Sequence, residues 1–182
     1  MKAMSLSGLS LLLMASTANA QAVKVEIKGT HLCCGACVKA VGATLEKVQG
    51  IAGLKCDRKA KTISFEAMAD EIAKQAVRKI ANAGFYGKLT IGGKKAKFPP
   101  SGAKKDQKAD TIVIRKVHLC CGACVKAVGG AVKSVKGVES VVCNRKKNTV
   151  TVKGKQFDVS ATIAALNKVG FNGRVRRKKK TD

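Results

Sequence analysis

The residues with the greatest capacity for chemistry in this chain are its eight cysteines, most of which occur in two copies of one motif. Residues 31–42 read HLCCGACVKAVG, and the same letters recur unchanged at 118–129. Each copy contains a CxxC pair that is directly preceded by a further cysteine. Thiolates at this spacing can hold a soft metal ion or exchange electrons as a dithiol. The duplication therefore predicts two copies of one metal or thiol site.

The candidate ligands of the two motifs are all cysteines. They are Cys33, Cys34, Cys37, Cys120, Cys121 and Cys124. Cys56 and Cys143 occupy matching positions further along the repeats, and the pattern leaves three roles open for them: core filling, a disulfide with the motif, or a fourth ligand. His31 and His118 precede the two loops, where each could supply an imidazole nitrogen or simply pack and hydrogen-bond within its loop.

The main alternative to a metal site is a disulfide. Cys34 and Cys37 could close a disulfide in an oxidising compartment, as redox CxxC pairs do. A thioredoxin-type enzyme is disfavoured, because both prolines of the chain lie outside the repeats, in the segment between them. The pattern therefore favours metal binding, with a structural disulfide or a working redox pair as the alternatives.

The elements that must position these loops follow from periodicity. Val23, Val25 and Ile27 alternate as in a strand with one buried face, and apolar residues after each cysteine loop recur at helical spacing. Each repeat reads as strand, helix, strand, strand, helix, strand. This order predicts an α+β fold of two tandem ferredoxin-like βαββαβ sandwiches, each with an antiparallel four-stranded sheet and two helices on one face. Its connectivity places the cysteine loop, Cys56 and Phe85 at the same end.

The chain divides into five segments by composition. They are a signal peptide at 1–20, a first domain at 21–91, a Lys/Gly/Pro linker at 92–110, a second domain at 111–177 and a basic tail at 178–182. The signal peptide is predicted from Lys2, a short apolar stretch and Ala18-Asn19-Ala20. We therefore expect an exported protein, periplasmic or extracellular, that is soluble after cleavage. The linker is expected to lack regular structure and to stay exposed.

The charge balance is strongly basic, with a formal net charge of +25 at neutral pH. Such charge suits solvated linkers and tails, or attraction to an anionic envelope surface. Nucleic acid is not an expected partner, because one Tyr, five Phe and no Trp offer little surface for stacking bases. No membrane span is expected. Motifs for phosphate binding, pump phosphorylation or a Ser/His/Asp set are missing, so we expect no enzyme.

Both repeats resemble heavy-metal-associated domains, the modules of copper chaperones, periplasmic mercury-binding proteins and the tails of metal-pumping ATPases. The loop of that family reads Gly-Met-x-Cys-x-x-Cys, and residues 32–37 and 119–124 match it from the Met position onward. The resemblance implies ligand roles for Cys34, Cys37, Cys121 and Cys124. It also implies that Leu32 and Leu119 anchor the loops and that Phe85 and Phe171 shield the sites.

Two departures from the family loop bear on the metal. The family's Gly is His31 or His118 here, and the variable position before the first ligand is Cys33 or Cys120. In zinc-transporting relatives that position often supplies a further ligand, whereas copper carriers usually have Thr or Ser there. Zinc prefers a tetrahedron of ligands, and copper(I) accepts two or three sulfurs. We expect zinc or copper(I), with cadmium and mercury in the same class.

The sequence thus predicts an exported protein that sequesters soft metal ions or hands them over through duplicated CCxxC thiolate sites. Partners would be the metal ions themselves and a metal-transporting ATPase or another metal-binding protein. The alternatives are an envelope thiol–disulfide redox protein and a cationic binding module stapled by disulfides.

Overall fold

Each sequence repeat forms its own antiparallel sheet, as the periodicity predicts. The computed structural model describes residues 22–175. The predicted signal peptide at 1–20 and the predicted tail at 178–182 lie outside the described residues. Within residues 22–175, no helix has the length and apolar character that crossing a membrane requires.

The first repeat, called domain 1 below, contains five strands and two helices. They are β1 (Val23–Lys28), α1 (Gly35–Leu45), β2 (Ile51–Asp57), β3 (Thr62–Ala67), α2 (Asp70–Asn82), β4 (Lys88–Ile91) and β5 (Lys94–Ala96). The sheet order is β2-β3-β1-β4-β5. The first four strands have the split-βαβ order, which confirms the predicted ferredoxin-like fold.

The second repeat, called domain 2, contains four strands and two helices. They are β6 (Lys108–Arg115), α3 (Gly122–Lys133), β7 (Val138–Asn144), β8 (Thr149–Asp158), α4 (Val159–Lys168) and β9 (Arg174–Val175). The sheet order is β7-β8-β6-β9, the same order as the first four strands of domain 1.

The core of domain 1 lies between one face of its sheet and its two helices. Val25 pairs with Phe65 across β1 and β3, and Ile27 pairs with Ile63. All four side chains are buried, as is Val41 on α1. Because alternate residues of a strand face the same side, this register turns one apolar row of each strand onto the helices. The buried row fixes where β1 ends and hence where the cysteine loop begins.

The predicted linker differs from the observed structure. Lys94–Ala96 form β5, an edge strand that pairs with β4 and gives domain 1 a fifth strand. Further along, the ring of Phe98 lies 4.9 Å from the ring of Tyr86, and Ser101 accepts a hydrogen bond from the backbone N–H of Val175. The prediction that the linker lacks regular structure was therefore wrong at Lys94–Ala96 and from Lys108, where β6 begins, while none of residues 92–110 is buried. The lysines and glycines of this segment did not predict the hairpin of β4 and β5. An edge strand can face solvent on most sides and therefore needs few apolar residues.

Helix α4 begins directly after β8, and Asp158 caps it. The carboxylate of Asp158 accepts hydrogen bonds from the backbone N–H of Ala161 (2.9 Å) and the hydroxyl of Ser160 (2.7 Å). The ammonium group of Lys108 lies 3.2 Å from the same side chain. These contacts, the N–H of Ala161 first among them, lower the pKa of Asp158 to about 2.

Replacing Asp158 with alanine should lower the melting temperature by roughly 4 °C, because α4 loses its N-terminal cap. A carboxyl group whose pKa is lower in the folded state stabilises that state fully above its unfolded pKa of about 3.9. The stabilisation is then lost as the pH falls through the folded pKa. Thermal unfolding followed by circular dichroism should therefore show a larger difference between wild type and Asp158→Ala at pH 6 than at pH 2.

The matched control for the cap is Asp158→Asn, which retains an oxygen that can accept the hydrogen bond from Ala161. It should lose less stability than the alanine variant at pH 6. An equal loss at pH 6 and pH 2 for Asp158→Ala would contradict a role for the carboxylate.

Candidate metal centre

Each cysteine loop runs from an extended residue into the first turn of a helix. Cys34 precedes α1 with extended backbone angles (φ −149°, ψ 171°), and Cys121 precedes α3 in the same way (φ −147°, ψ 176°). Cys37 and Cys124 lie one turn further on and are fully buried. The predicted anchors Leu32 and Leu119 are buried as well.

The two loops meet, so that their sulfurs form one group instead of two separate ones. Within each CxxC pair the Sγ atoms are 3.8 Å apart in domain 1 and 3.7 Å apart in domain 2. Between domains, Cys33 lies 3.5 Å from Cys121, and Cys34 lies 3.6 Å from Cys120. We call the six predicted motif cysteines the six-thiol cluster.

Two sets of four sulfurs in the six-thiol cluster lie within 4.8 Å of one another. One consists of Cys33, Cys34, Cys120 and Cys121, and the other of Cys33, Cys37, Cys120 and Cys124. Sulfurs around a tetrahedral ion with metal–sulfur bonds of about 2.3 Å would be about 3.8 Å apart. The contacts of 3.5–3.8 Å in the cluster are thus already close to those a bound soft ion requires. The donor set fits a thiophilic metal.

Two equivalent aromatic contacts join the domains beside the cluster. In each, the loop histidine of one domain stacks on a phenylalanine of the other domain. The ring of His31 stacks on Phe171 with centroids 4.3 Å apart, and Phe85 stacks on His118 at 4.4 Å. Phe85 and Phe171 also pair as an antiparallel β-bridge and are fully buried. The sequence prediction placed each phenylalanine over its own loop. In the structure each covers the loop histidine of the other domain.

Backbone hydrogen bonds complete this junction. The carbonyl of Gly170 accepts from the N–H groups of His31 (3.3 Å) and Tyr86 (3.1 Å), and the N–H of Asn172 donates to the carbonyl of Gly84 (2.9 Å). The buried amide of Asn172 donates to the carbonyl of Ala81 in domain 1. The junction therefore depends on the backbone conformation just after α2, at Gly84, and just after α4, at Gly170.

The two histidines, predicted as possible additional ligands, take part in packing. Neither belongs to the groups of ligand atoms within 4.8 Å of one another. The Nε2 atoms of His31 and His118 are buried without a hydrogen-bond partner. Burial lowers the pKa of both imidazoles, so that both are neutral at pH 7. Their clearest contacts are the aromatic stacks between the domains.

Cys56 and Cys143, the other possible ligands, also lie outside the ligand groups. Both are half-buried and pack against the core. Each lines a cleft together with the first cysteine of its own motif, Cys33 or Cys120. Burial raises the pKa of both thiols. All eight cysteines are free thiols in this structure, so the disulfide alternatives are not observed.

Two arginines were missed by the sequence reasoning. The guanidinium of Arg58 donates to the carbonyl of Cys33 at 2.9 Å, and Arg145 donates to the carbonyl of Cys120. Each arginine comes from the strand–strand turn of its own domain and fixes the peptide that follows the first motif cysteine. Their equal spacing from the two motifs was the signal that could have revealed them.

The helix ends divide the cluster into two kinds of thiol. The N–H of Cys124 hydrogen-bonds the sulfur of Cys121 and lowers its pKa to about 6, and the N–H of Cys37 lowers the pKa of Cys34. Burial, followed by hydrogen bonds from neighbouring thiols, raises the pKa of Cys33 and Cys120. The first residue of each CxxC pair is therefore the more reactive thiol in the metal-free protein.

In the metal-free, reduced protein at pH 7, iodoacetamide should modify Cys121 at least about tenfold faster than Cys120, because the thiolate is the reacting form. The rate at Cys121 should stay high as the pH is lowered from 8 and decline as it falls through the pKa of about 6. The measurement is mass spectrometry of tryptic fragments over time.

The internal control for this experiment is present in the same fragment. Residues 117–126 form one tryptic peptide, VHLCCGACVK, that differs in mass from its counterpart GTHLCCGACVK at 29–39. Fragmentation of the peptide assigns the label to one cysteine. Equal labelling of Cys120 and Cys121 would contradict the assignment of the reactive thiol.

Comparison with known proteins adds to this geometry. A family model described as "Heavy-metal-associated domain" matches residues 113–172. The match covers most of domain 2. Domain 1 repeats its strand order and its twelve-residue motif. The description of this family and the clustered thiols both support metal binding.

The chain is similar to a curated plant protein over part of its length. The Heavy metal-associated isoprenylated plant protein 5 of Arabidopsis thaliana is 35% identical over 81 residues, which are 44% of this chain and 20% of that protein. The chain thus spans about a fifth of this relative's length.

Two solved structures are also similar to the chain. A CopZ metallochaperone is 24% identical with a TM-score of 0.33, and the match covers 35% of this chain and 97% of that chain. The N-terminal soluble domains of Bacillus subtilis CopA are 17% identical with a TM-score of 0.32, covering 87% of this chain and 96% of that chain.

Proposed function

We propose that this protein is an exported carrier that sequesters a soft metal ion and hands it to another thiolate site. The observation that carries the proposal is the six-thiol cluster, in which sulfurs from both domains lie 3.5–3.8 Å apart. An all-sulfur donor set favours thiophilic ions over magnesium or calcium, which prefer oxygen. Copper(I) and zinc are the ions we propose first, with cadmium and mercury as members of the same class.

Handover by exchange of thiolates is supported by the exposure of the cluster. Cys34 and Cys121 are only half-buried, whereas Cys37 and Cys124 are covered. An incoming thiolate can therefore attack an ion from the side of the exposed pair while the buried pair still holds it. No covalent catalysis is needed for such a transfer.

The charge around the cluster supports an acidic partner. Lys55, Arg58 and Lys59 line the cleft beside Cys33, and Arg145 and Lys146 line the matching cleft of domain 2. A partner with acidic side chains around its own thiols would be attracted to this rim. A metal-transporting ATPase or another metal-binding protein is the proposed recipient, and the net charge of +25 also favours an anionic envelope surface.

Export is supported by the sequence of residues 1–20 alone. In an oxidising compartment a cluster of free thiols would be protected by bound metal, because coordinated thiolates are less available for oxidation. We propose that the mature protein begins at Gln21 and works in the periplasm or outside the cell.

The test is to purify residues 21–182 anaerobically from an exporting host and to count bound metal and free thiols on one sample. Elemental mass spectrometry should find a soft metal bound in stoichiometric amount. Substitution of Cys34 and Cys121 by serine should release most of it. The matched control is the double variant Cys56→Ser/Cys143→Ser, which leaves the six-thiol cluster intact and should retain the metal.

The outcomes separate the alternatives. Blocked thiols with no metal, and no uptake after reduction and metal addition, would contradict the carrier and favour a cationic module stapled by disulfides. Rapid reduction of insulin by a protein that binds metal only weakly would favour a thiol–disulfide redox protein instead.

A further inference from the structure

Cys33 and Cys120, the first cysteine of each motif, contact both sulfurs of the CxxC pair in the opposite domain but only one sulfur of the pair in their own domain. The Sγ atom of Cys120 is 3.6 Å from both Cys34 and Cys37, which are themselves 3.8 Å apart. These three sulfurs therefore form a closed triangle with two corners in domain 1 and one in domain 2.

A second triangle is built the opposite way. The Sγ atom of Cys33 is 3.5 Å from Cys121 and 3.7 Å from Cys124, and the distance between the last two is 3.7 Å. Three sulfurs that surround an ion at about 2.3 Å would be about 4.0 Å apart in a planar arrangement. Each triangle thus has nearly the size of a three-sulfur site.

The three cysteines within one motif make only two such contacts. Cys33 contacts Cys37 at 3.6 Å and Cys34 contacts Cys37 at 3.8 Å, whereas the sulfurs of Cys33 and Cys34 lie within 4.8 Å of each other without such a contact. The same holds in domain 2, where Cys120 contacts Cys124 at 3.5 Å.

We propose that the protein binds two soft metal ions in one shared centre, in which each CxxC pair receives its third sulfur from the other domain. Cys120 completes the site of Cys34 and Cys37, and Cys33 completes the site of Cys121 and Cys124. The contacts Cys33–Cys37 and Cys120–Cys124 join the two sites edge to edge. This inference rests on the proposed function, because it assigns coordination within the same cluster.

The sharing of cysteines between the two sites gives the junction between the domains a role. The stacks of His31 on Phe171 and of Phe85 on His118 lie at the base of the two loops. They hold each loop against the end of the other domain, so that the first motif cysteine faces the partner pair. A single domain would keep only its CxxC pair and the less favourably placed cysteine before it.

The test compares full-length variants that retain three motif cysteines each. The crossed variant Cys33→Ser/Cys121→Ser/Cys124→Ser keeps Cys34 and Cys37 with Cys120. The matched variant Cys120→Ser/Cys121→Ser/Cys124→Ser keeps the same pair with Cys33. One equivalent of copper(I) is added anaerobically as its acetonitrile complex, and both samples are measured by X-ray absorption and by competition with a chromophoric copper(I) chelator.

The crossed variant should show three sulfurs around copper and bind it about tenfold more tightly than the matched variant, which should show two. The mirror pair, which keeps Cys121 and Cys124 with Cys33 or with Cys120, should give the same ratio. This second pair, with circular dichroism of all four variants, guards against a variant that fails to fold.

Two other results are informative. If wild type binds copper(I) but the matched variants equal or exceed the crossed variants in sulfur number and affinity, the exchange of ligands is wrong and the proposed function stands. If wild type and all variants fail to bind copper(I), zinc and cadmium, the proposed function fails and the inference fails with it.

Discussion

Alanine in place of Gly84 should open the junction between the domains and lower the affinity for copper(I) by at least about tenfold. Gly84 has a φ of +93°, and a Cβ atom added there would meet the backbone N–H of His118 and lie 2.6 Å from the carbonyl oxygen of Lys116. The left-handed backbone alone costs about 1–2 kcal/mol for a residue with a side chain. The clash adds to this cost, and because backbone atoms cannot rotate away, the domains must move apart.

The effect of Gly84→Ala should be visible in two measurements. Small-angle scattering should show a larger radius of gyration, and competition with a copper(I) chelator should show the weaker binding. Gly170→Ala should act in the same way from domain 2, since its Cβ would lie 2.6 Å from the carbonyl oxygen of Gly29 at a φ of +85°.

The matched control for this prediction is Gly92→Ala. Gly92 also has a positive φ (+55°), but a Cβ atom there would have no heavy atom within 4 Å. It should therefore lose stability through strain without changing the radius or the affinity. If Gly84→Ala has the radius of gyration and the copper(I) affinity of wild type, the junction does not hold the cluster together.

The second large effect concerns metal loading. Saturation of one metal site should raise the free energy of unfolding by about 2.7 kcal/mol when the free metal concentration is a hundred times the dissociation constant, and by about 4.1 kcal/mol at a thousand times. The reason is that sulfurs from two loops come together only in the folded, docked chain. Weak binding of metal to the unfolded chain would reduce the increment.

Denaturant unfolding at several free copper(I) concentrations, each fixed by a chelator, measures this increment. Cys56→Ser/Cys143→Ser should keep it, because neither residue belongs to the ligand groups. A variant with serine at both positions of each CxxC pair should lose it. The hypothesis fails if metal stabilises that variant as much as it stabilises wild type.

The order of the helices and strands could be predicted because the sheet of each domain has one buried face. Val25 and Ile27 are buried while their neighbours in β1 are not, and this alternation is visible in the letters. The cysteine loops follow from the same register, since β1 ends just before them and the helices begin with Gly35 and Gly122. The local position of every motif cysteine was therefore accessible from sequence.

The docking of the domains was not accessible in the same way. Phe85 and Phe171 match a shielding residue in an isolated domain equally well, and nothing in their spacing shows which loop they cover. Gly84 and Gly170 follow helices, where a glycine is expected as a C-terminal cap. Their close approach to the backbone of the other domain could therefore not be predicted from their position. Contacts between two repeats leave no periodic pattern in the sequence. The contacts of Cys33 with Cys121 and Cys124 could therefore not be predicted.

The fifth strand of domain 1 has a consequence for molecules that meet in solution. An open sheet edge presents unpaired N–H and C=O groups on which another chain can add a strand, and such addition begins many aggregates. One of the two edges of this sheet is β5, which carries the exposed Lys94 and Lys95. Two copies approaching along this edge bring like charges together. The lysines of β5 thus discourage the addition of a strand at this edge, even when the protein is concentrated.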